Sequence, residues 1–194
     1  MEKRYREMAA FYGISVPGSQ VVILYAGRAY FALASVPDWV SGVYDGKIRI
    51  CLDAEDPVTP ELEAVLSHEL SHAFLRYASR GRAPAWLHEG LAQWWEGRRI
   101  PRSEFREVFR GVSSRNLPEL DRSLQRWAGR AQARSGYAEA LLLTEYVIES
   151  RGIGAIACLV RDLADGASPE EALLREAGLT STQLIATWKA WARV

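Results

Sequence analysis

The chain has 194 residues, 48% of them hydrophobic and 25% charged, the balance of an ordinary globular protein. That excludes a disordered tail, a collagen-like rod and a disulfide-stapled miniprotein. Lys plus Arg and Asp plus Glu each number 24, so nucleic acid is not expected as a partner and a membrane surface is not the main one.

Residues 2–12 predict a short amphipathic helix ending at Gly13, and Pro17-Gly18 a turn. Val21–Tyr25 is a β-branched run bounded by turn residues, and Tyr30–Leu33 reads as a second strand. Asp45-Gly46, between Val43-Tyr44 and Lys47–Leu52, is a two-residue hairpin signal. In the second arm Ile48, Ile50 and Leu52 alternate with Lys47, Arg49 and Cys51, a half-buried strand suited to a sheet edge.

After Leu52 the apolar period changes from strand to helix. Thr59-Pro60-Glu61 opens a helix with Thr as cap and Pro at its first position; the apolar face runs to Arg80-Gly81. Pro84 starts the next, ending at Gly97, and Pro101 and Pro118 begin two shorter, Arg-rich ones. Helices follow over 135–150 and 153–164, and the capping boxes at Ser168–Glu171 and Thr180–Gln183 open the last two. Strands first and helices afterwards predict an α+β fold in one domain over 1–194. Its parts are a sheet within 15–55, two helices over 59–97 and a helical remainder over 98–194. A domain of this size buries roughly 70% of its unfolded surface, so it needs no metal to hold together.

The only three histidines are His68, His72 and His88. His68-Glu69-Leu70-Ser71-His72 is HExxH on a predicted helix. Residues i and i+4 share a helix face, so both imidazoles can converge on one tetrahedral ion. Glu69 lies beside them, within reach of a water at such an ion without being a ligand. A catalytic zinc takes a third protein ligand and keeps one position open. His88 and Glu89, at the start of the next helix, both qualify. Adjacent helical residues point about 100° apart, so only one can face the ion.

HExxH followed by Trp86-Leu87-His88-Glu89-Gly90-Leu91-Ala92 resembles the gluzincin metallopeptidases, in particular the bacterial peptidase MA-like group. The resemblance implies a zincin-like fold, one catalytic zinc held by His68, His72 and Glu89, and a peptide or protein substrate. Trp39–Gly46, leading into the 47–52 strand, looks like the family's substrate-side strand. Substrate contacts are therefore expected at Trp39, Lys47, Ile48, Arg49 and Ile50, a peptide adding to the strand edge. Ser135–Ala140 looks like the family's downstream Tyr-bearing helix, which nominates Tyr137 for the oxyanion, with His88 as the second nominee. Glu69 is the implied general base. Nothing matches the GxMEN-like segment of aminopeptidase relatives, so endopeptidase action is favoured. Thermolysin-like members place an Asp four residues after the ligand Glu to orient a zinc-binding His. Here that position is Gln93, which could accept a ring N–H bond without adding charge.

Two other readings stand beside this one: a zinc-binding scaffold without turnover, and a basic-surface module binding an acidic partner. Between Glu96 and Arg134 there are ten Arg against five acids. Arg98, Arg102, Arg106 and Arg110 recur every four residues, as do Arg122, Arg126, Arg130 and Arg134. They read as solvated helix faces or as a wall for an acidic partner within 98–134. Cys51 and Cys158 form no CxxC motif, and their pairing stays open. With no leader-like apolar segment and no apolar run long enough to span a bilayer, the chain is expected to be soluble. It is then cytoplasmic by default, or the soluble part of a longer or exported protein.

Overall fold

The computed structural model describes residues 1–52, 59–111, 116–125 and 130–192. The elements run α1 (Glu2–Tyr12), β1 (Val22–Ala26), α2 (Ala29–Leu33), β2 (Gly42–Tyr44) and β3 (Ile48–Leu52). Helices follow: α3 (Pro60–Ala78), α4 (Ala85–Glu96), a 3-10 turn at Arg102–Glu104, α5 (Phe105–Gly111) and α6 (Leu117–Gln125). The last are α7 (Arg130–Arg151), α8 (Ile153–Ala164), α9 (Pro169–Ala177) and α10 (Ser181–Trp191). A small sheet precedes a run of helices, which is an α+β arrangement. Thr59 caps α3 by accepting from the Leu62 N–H at 3.2 Å, and both expected capping boxes close reciprocally. Helix α7 begins at Arg130, one turn and more before Ser135, because Arg, Ala and Gln favour the helix there.

Two strand expectations are overturned. Tyr30–Leu33 lies in helix α2, its Phe31 fully buried and its Tyr30 ring stacked 4.4 Å from Tyr25. A short apolar run does not distinguish strand from helix by period. The second correction matters more. The sheet order is β1-β3-β2, so β3 is the central strand. It pairs parallel with β1, Leu24 opposite Ile50, and antiparallel with β2, Gly42 opposite Ile50. Both ladders are taken, so Lys47, Ile48, Arg49 and Ile50 cannot receive a peptide by strand addition. Ile48 and Ile50 are core, and Lys47 is exposed at the hairpin. Arg49 is held by Asp45 at 2.9 Å and the Tyr25 hydroxyl at 2.6 Å. This satisfies a charge on a central strand and explains why the alternation imitates an edge.

Helix α3 lies on β2 and β3, α4 lies on α3, and α7 lies on α4. Buried Trp86, Leu87, Leu91 and Trp95 fill the space around α4. Gly90 sets how near α7 can come. A Cβ there would stand 2.5 Å from the Ala140 carbonyl oxygen and closer still to Thr144 Oγ1. Trp188 is buried, and Trp191 packs on Phe105 and Tyr146. Cys51 and Cys158 are free thiols. Among the described residues no helix is long and apolar enough to cross a membrane.

Gly90→Ala is expected to destabilise the chain by about 1–3 kcal/mol, because backbone rather than a flexible side-chain tip must move. Urea unfolding reads this directly; an unchanged midpoint would show that α4 and α7 are not in close contact.

Candidate metal centre

His68 and His72 stand one turn apart on α3, their ring centroids 4.9 Å from each other. The chain leaves α3 through Arg80 and Gly81, both at positive φ (53° and 72°). Arg80 and Arg82 donate to the Ala164 carbonyl at 3.3 and 2.6 Å, which anchors the turn to the end of α8. Helix α4 then runs back along α3 and brings Glu89 to the two rings. Glu89 Oε2 lies 3.7 Å from His68 Nε2 and 4.0 Å from His72 Nε2. One ligand atom from each of the three residues lies within 4.8 Å of the other two. Two imidazole nitrogens and a carboxylate oxygen at these separations fit a divalent ion, with a coordination position to spare. His88 stays outside this group; its ring is beside His72, 5.6 Å between centroids.

The charges around the group are strongly coupled. For His68, burial disfavours the charged ring, but contacts with Glu89 and Glu96 and the field of Glu69 outweigh it and push the pKa up to about 10. For His72, burial wins: with His68 and His88 alongside, the pKa is pushed down to about 3 despite Glu89. Burial raises Glu69 as well; Glu89 and Glu96 add to the rise, His68 opposes it, and the carboxyl is pushed up to about 7. Burial works against the charged form of Glu89 too, yet the surrounding histidines hold its pKa below the ordinary value.

The group opens into a cavity of about 850 Å³ whose walls include β2, Trp39, Glu69, His88 and Tyr137. Glu69 is 4% exposed and lies against Gly42, where a Cβ would stand 2.6 Å from its Oε1. The strand bordering the cavity is therefore β2, which runs at the sheet edge, rather than β3. Tyr137 enters from α7. Burial, together with the charges of Glu89 and Glu69, holds its hydroxyl well above the usual range, so it keeps its proton.

Gln93 does not touch a histidine ring. Its Nε2 donates to the Glu89 carbonyl at 3.0 Å and to the Tyr137 carbonyl at 2.8 Å, joining α4 to α7 below the site. The ring contact belongs to Glu96, whose Oε2 lies 2.9 Å from His68 Nδ1. Sequence reasoning missed this residue. The available signal was its place seven residues after Glu89, two turns along the same face of α4. Of the remaining expected residues, Lys47, Ile48, Arg49 and Ile50 lie away from the cavity and Trp39 lines it.

A carboxylate on the far nitrogen of a metal-binding His fixes its tautomer and raises its basicity. Glu96→Ala is therefore expected to weaken zinc binding by about 10–100-fold, measured by competition with a chromophoric chelator. Unchanged affinity would remove Glu96 from that role.

The Peptidase MA superfamily matches residues 24–194. No curated protein and no solved structure matches the chain. The match spans most of the sequence, including every residue of the His-His-Glu group, and implies a metallopeptidase-type function on peptides or proteins. The chain belongs to the Peptidase MA superfamily.

Proposed function

We propose that this chain is a zinc-dependent metallopeptidase of the gluzincin type, with a zincin-like fold in a single domain over 1–194, acting as an endopeptidase. The observation that carries the reading is the buried Glu69 carboxyl beside the His68–His72–Glu89 group. A site that only held the fold together would have no use for a further, buried acid there. Zinc bound by those three side chains would supply Lewis-acid activation of a water and of the scissile carbonyl.

The chain's own residues do the rest. Glu69 takes the water proton and delivers it to the leaving amine. A base is most effective when its pKa is near the working pH, and burial moves Glu69 in that direction. The Tyr137 hydroxyl, kept protonated by its surroundings, donates a hydrogen bond to the developing oxyanion. His88 is the second candidate for that contact. Its pKa is lowered, chiefly by burial, which favours the neutral ring with one N–H to offer. Glu96 and Glu89 orient His68. The substrate lies along β2, between Trp39 and the α3 face, and Gly42 lets the strand approach Glu69 without a side chain in the way.

Glu69→Gln is expected to keep zinc and lose hydrolysis of an unfolded protein substrate, read by metal analysis and fragment release on the same preparation. A variant that binds zinc and still cleaves would exclude Glu69 as base. A parent protein that binds zinc and never cleaves would favour the non-catalytic scaffold. His72→Ala is expected to lose zinc and retain its far-UV circular dichroism, because the core is built without the metal; unfolding would make the site structural. Tyr137→Phe is expected to keep zinc and lower turnover by about 10²-fold; an unaltered rate would take Tyr137 out of the mechanism.

A further inference from the structure

The acids and the arginines of the cavity are sorted. Glu69, Glu89 and Glu96 are all engaged with the histidines at its floor. Arg76, Arg98, Arg130 and Arg134 line the same cavity and are exposed. Among the described residues none of these four arginines forms an ion pair. Several arginines elsewhere are satisfied. Arg49 pairs with Asp45, Arg99 with Glu145, and Arg102 with Glu149 while lying over Trp191.

The placement is not that of a solvated helix face. Arg76 is one turn beyond His72 on α3, and its charge acts on His88 and Tyr44. Arg98 follows Glu96, at the His68 end of the group. The two therefore flank the metal group from opposite ends. Arg130, Arg134 and Tyr137 are spaced four and three apart, which puts them on one face of α7. The first turn of α7 holds no acidic residue. No acid of that turn is therefore available to pair with Arg130. The two arginine series divide accordingly. Arg98, Arg130 and Arg134 face the cavity, whereas Arg102, Arg106 and Arg122 are absent from its lining. Arg126 and the side chain of Arg110 lie outside the described residues.

We infer that the cavity selects acidic peptides: side-chain carboxylates of the substrate pair with Arg130 and Arg134 on one wall and with Arg76 and Arg98 at the two ends. This rests on the reading that a peptide occupies the cavity, and it names the class of that peptide. Guanidinium groups suit the task because each can hold a carboxylate through two parallel N–H bonds.

Binding, not turnover, tests this. A short dansyl-labelled peptide rich in Glu is titrated into the metal-free chain beside its counterpart with every Glu replaced by Gln. Both are amidated at the C-terminus, so that only side-chain carboxylates differ. The acidic peptide is expected to bind about tenfold or more tightly at low ionic strength, with the difference shrinking as salt rises. The Arg130→Gln/Arg134→Gln variant, checked for parental circular dichroism and melting, is expected to lose most of that preference. Adding Arg76→Gln and Arg98→Gln is expected to abolish it. Equal affinity for the two peptides, or binding of neither, overturns the inference, as does a preference that survives all four substitutions. Hydrolysis is scored separately. Arg-dependent acidic binding without cleavage would uphold this inference while the peptidase reading failed, and cleavage indifferent to acidic residues would do the reverse.

Discussion

The approach of α4 to its neighbours on both sides is the constraint from which the rest follows. On one side α4 lies against α3, so that Glu89 meets His68 and His72. On the other it lies against α7 with Gly90 at the contact, which puts Tyr137 on the same cavity. Glu89 and Gly90 are adjacent, so the carboxylate that meets the histidines and the close approach are one local feature. A side chain at position 90 would push α7 outward and take Tyr137 with it. The Gln93 amide fastens the same junction by donating to the backbone of both helices.

Charge is arranged in depth around this junction. At the floor three carboxylates and two imidazoles share a small volume, and burial and mutual charge move His68, His72, Glu69 and Glu89 away from their ordinary pKa values. The combination present is two imidazoles and a carboxylate that could hold a metal ion, with the buried Glu69 carboxyl beside them. The approach of β2 through Gly42 covers Glu69 and is part of the reason its carboxyl is poorly solvated. At the rim the sign reverses. Exposed arginines from three different parts of the chain surround the opening, where solvent makes them inexpensive to keep and a ligand can still reach them.

Legibility in the sequence followed the range of the interaction. The Thr59 cap, the two capping boxes and the i, i+4 histidines are local, and each stands where its pattern placed it. The sheet was less readable. The place of β3 depends on a parallel partner more than twenty residues upstream, and a charged alternating strand looks like an edge until that partner is known. Tyr30–Leu33 went the other way because four apolar residues carry no usable period. At the site, motif spacing singled out His68, His72 and Glu69 and left His88 and Glu89 open; the family resemblance favoured Glu89, which is the one that lies with the two histidines. Neither reached Glu96, whose contact with His68 joins two helices, and Gln93 at thermolysin's orienting position drew attention to the wrong turn of α4. The arginine periodicity was visible, but which members face inward depends on how α7 lies on α4. Arg76 belonged to neither series.

The proposed metal site is built by α3 and α4 together from two imidazoles and a carboxylate. Zinc-edge X-ray absorption on the stoichiometrically loaded chain addresses it most directly. One ion per chain is expected in a shell of light atoms only, with two histidine nitrogens at about 2.0–2.1 Å and oxygen completing a tetrahedral set. A sulfur scatterer near about 2.3 Å would place the ion on Cys51 or Cys158 instead. That result, or failure to retain any zinc, would contradict this assignment.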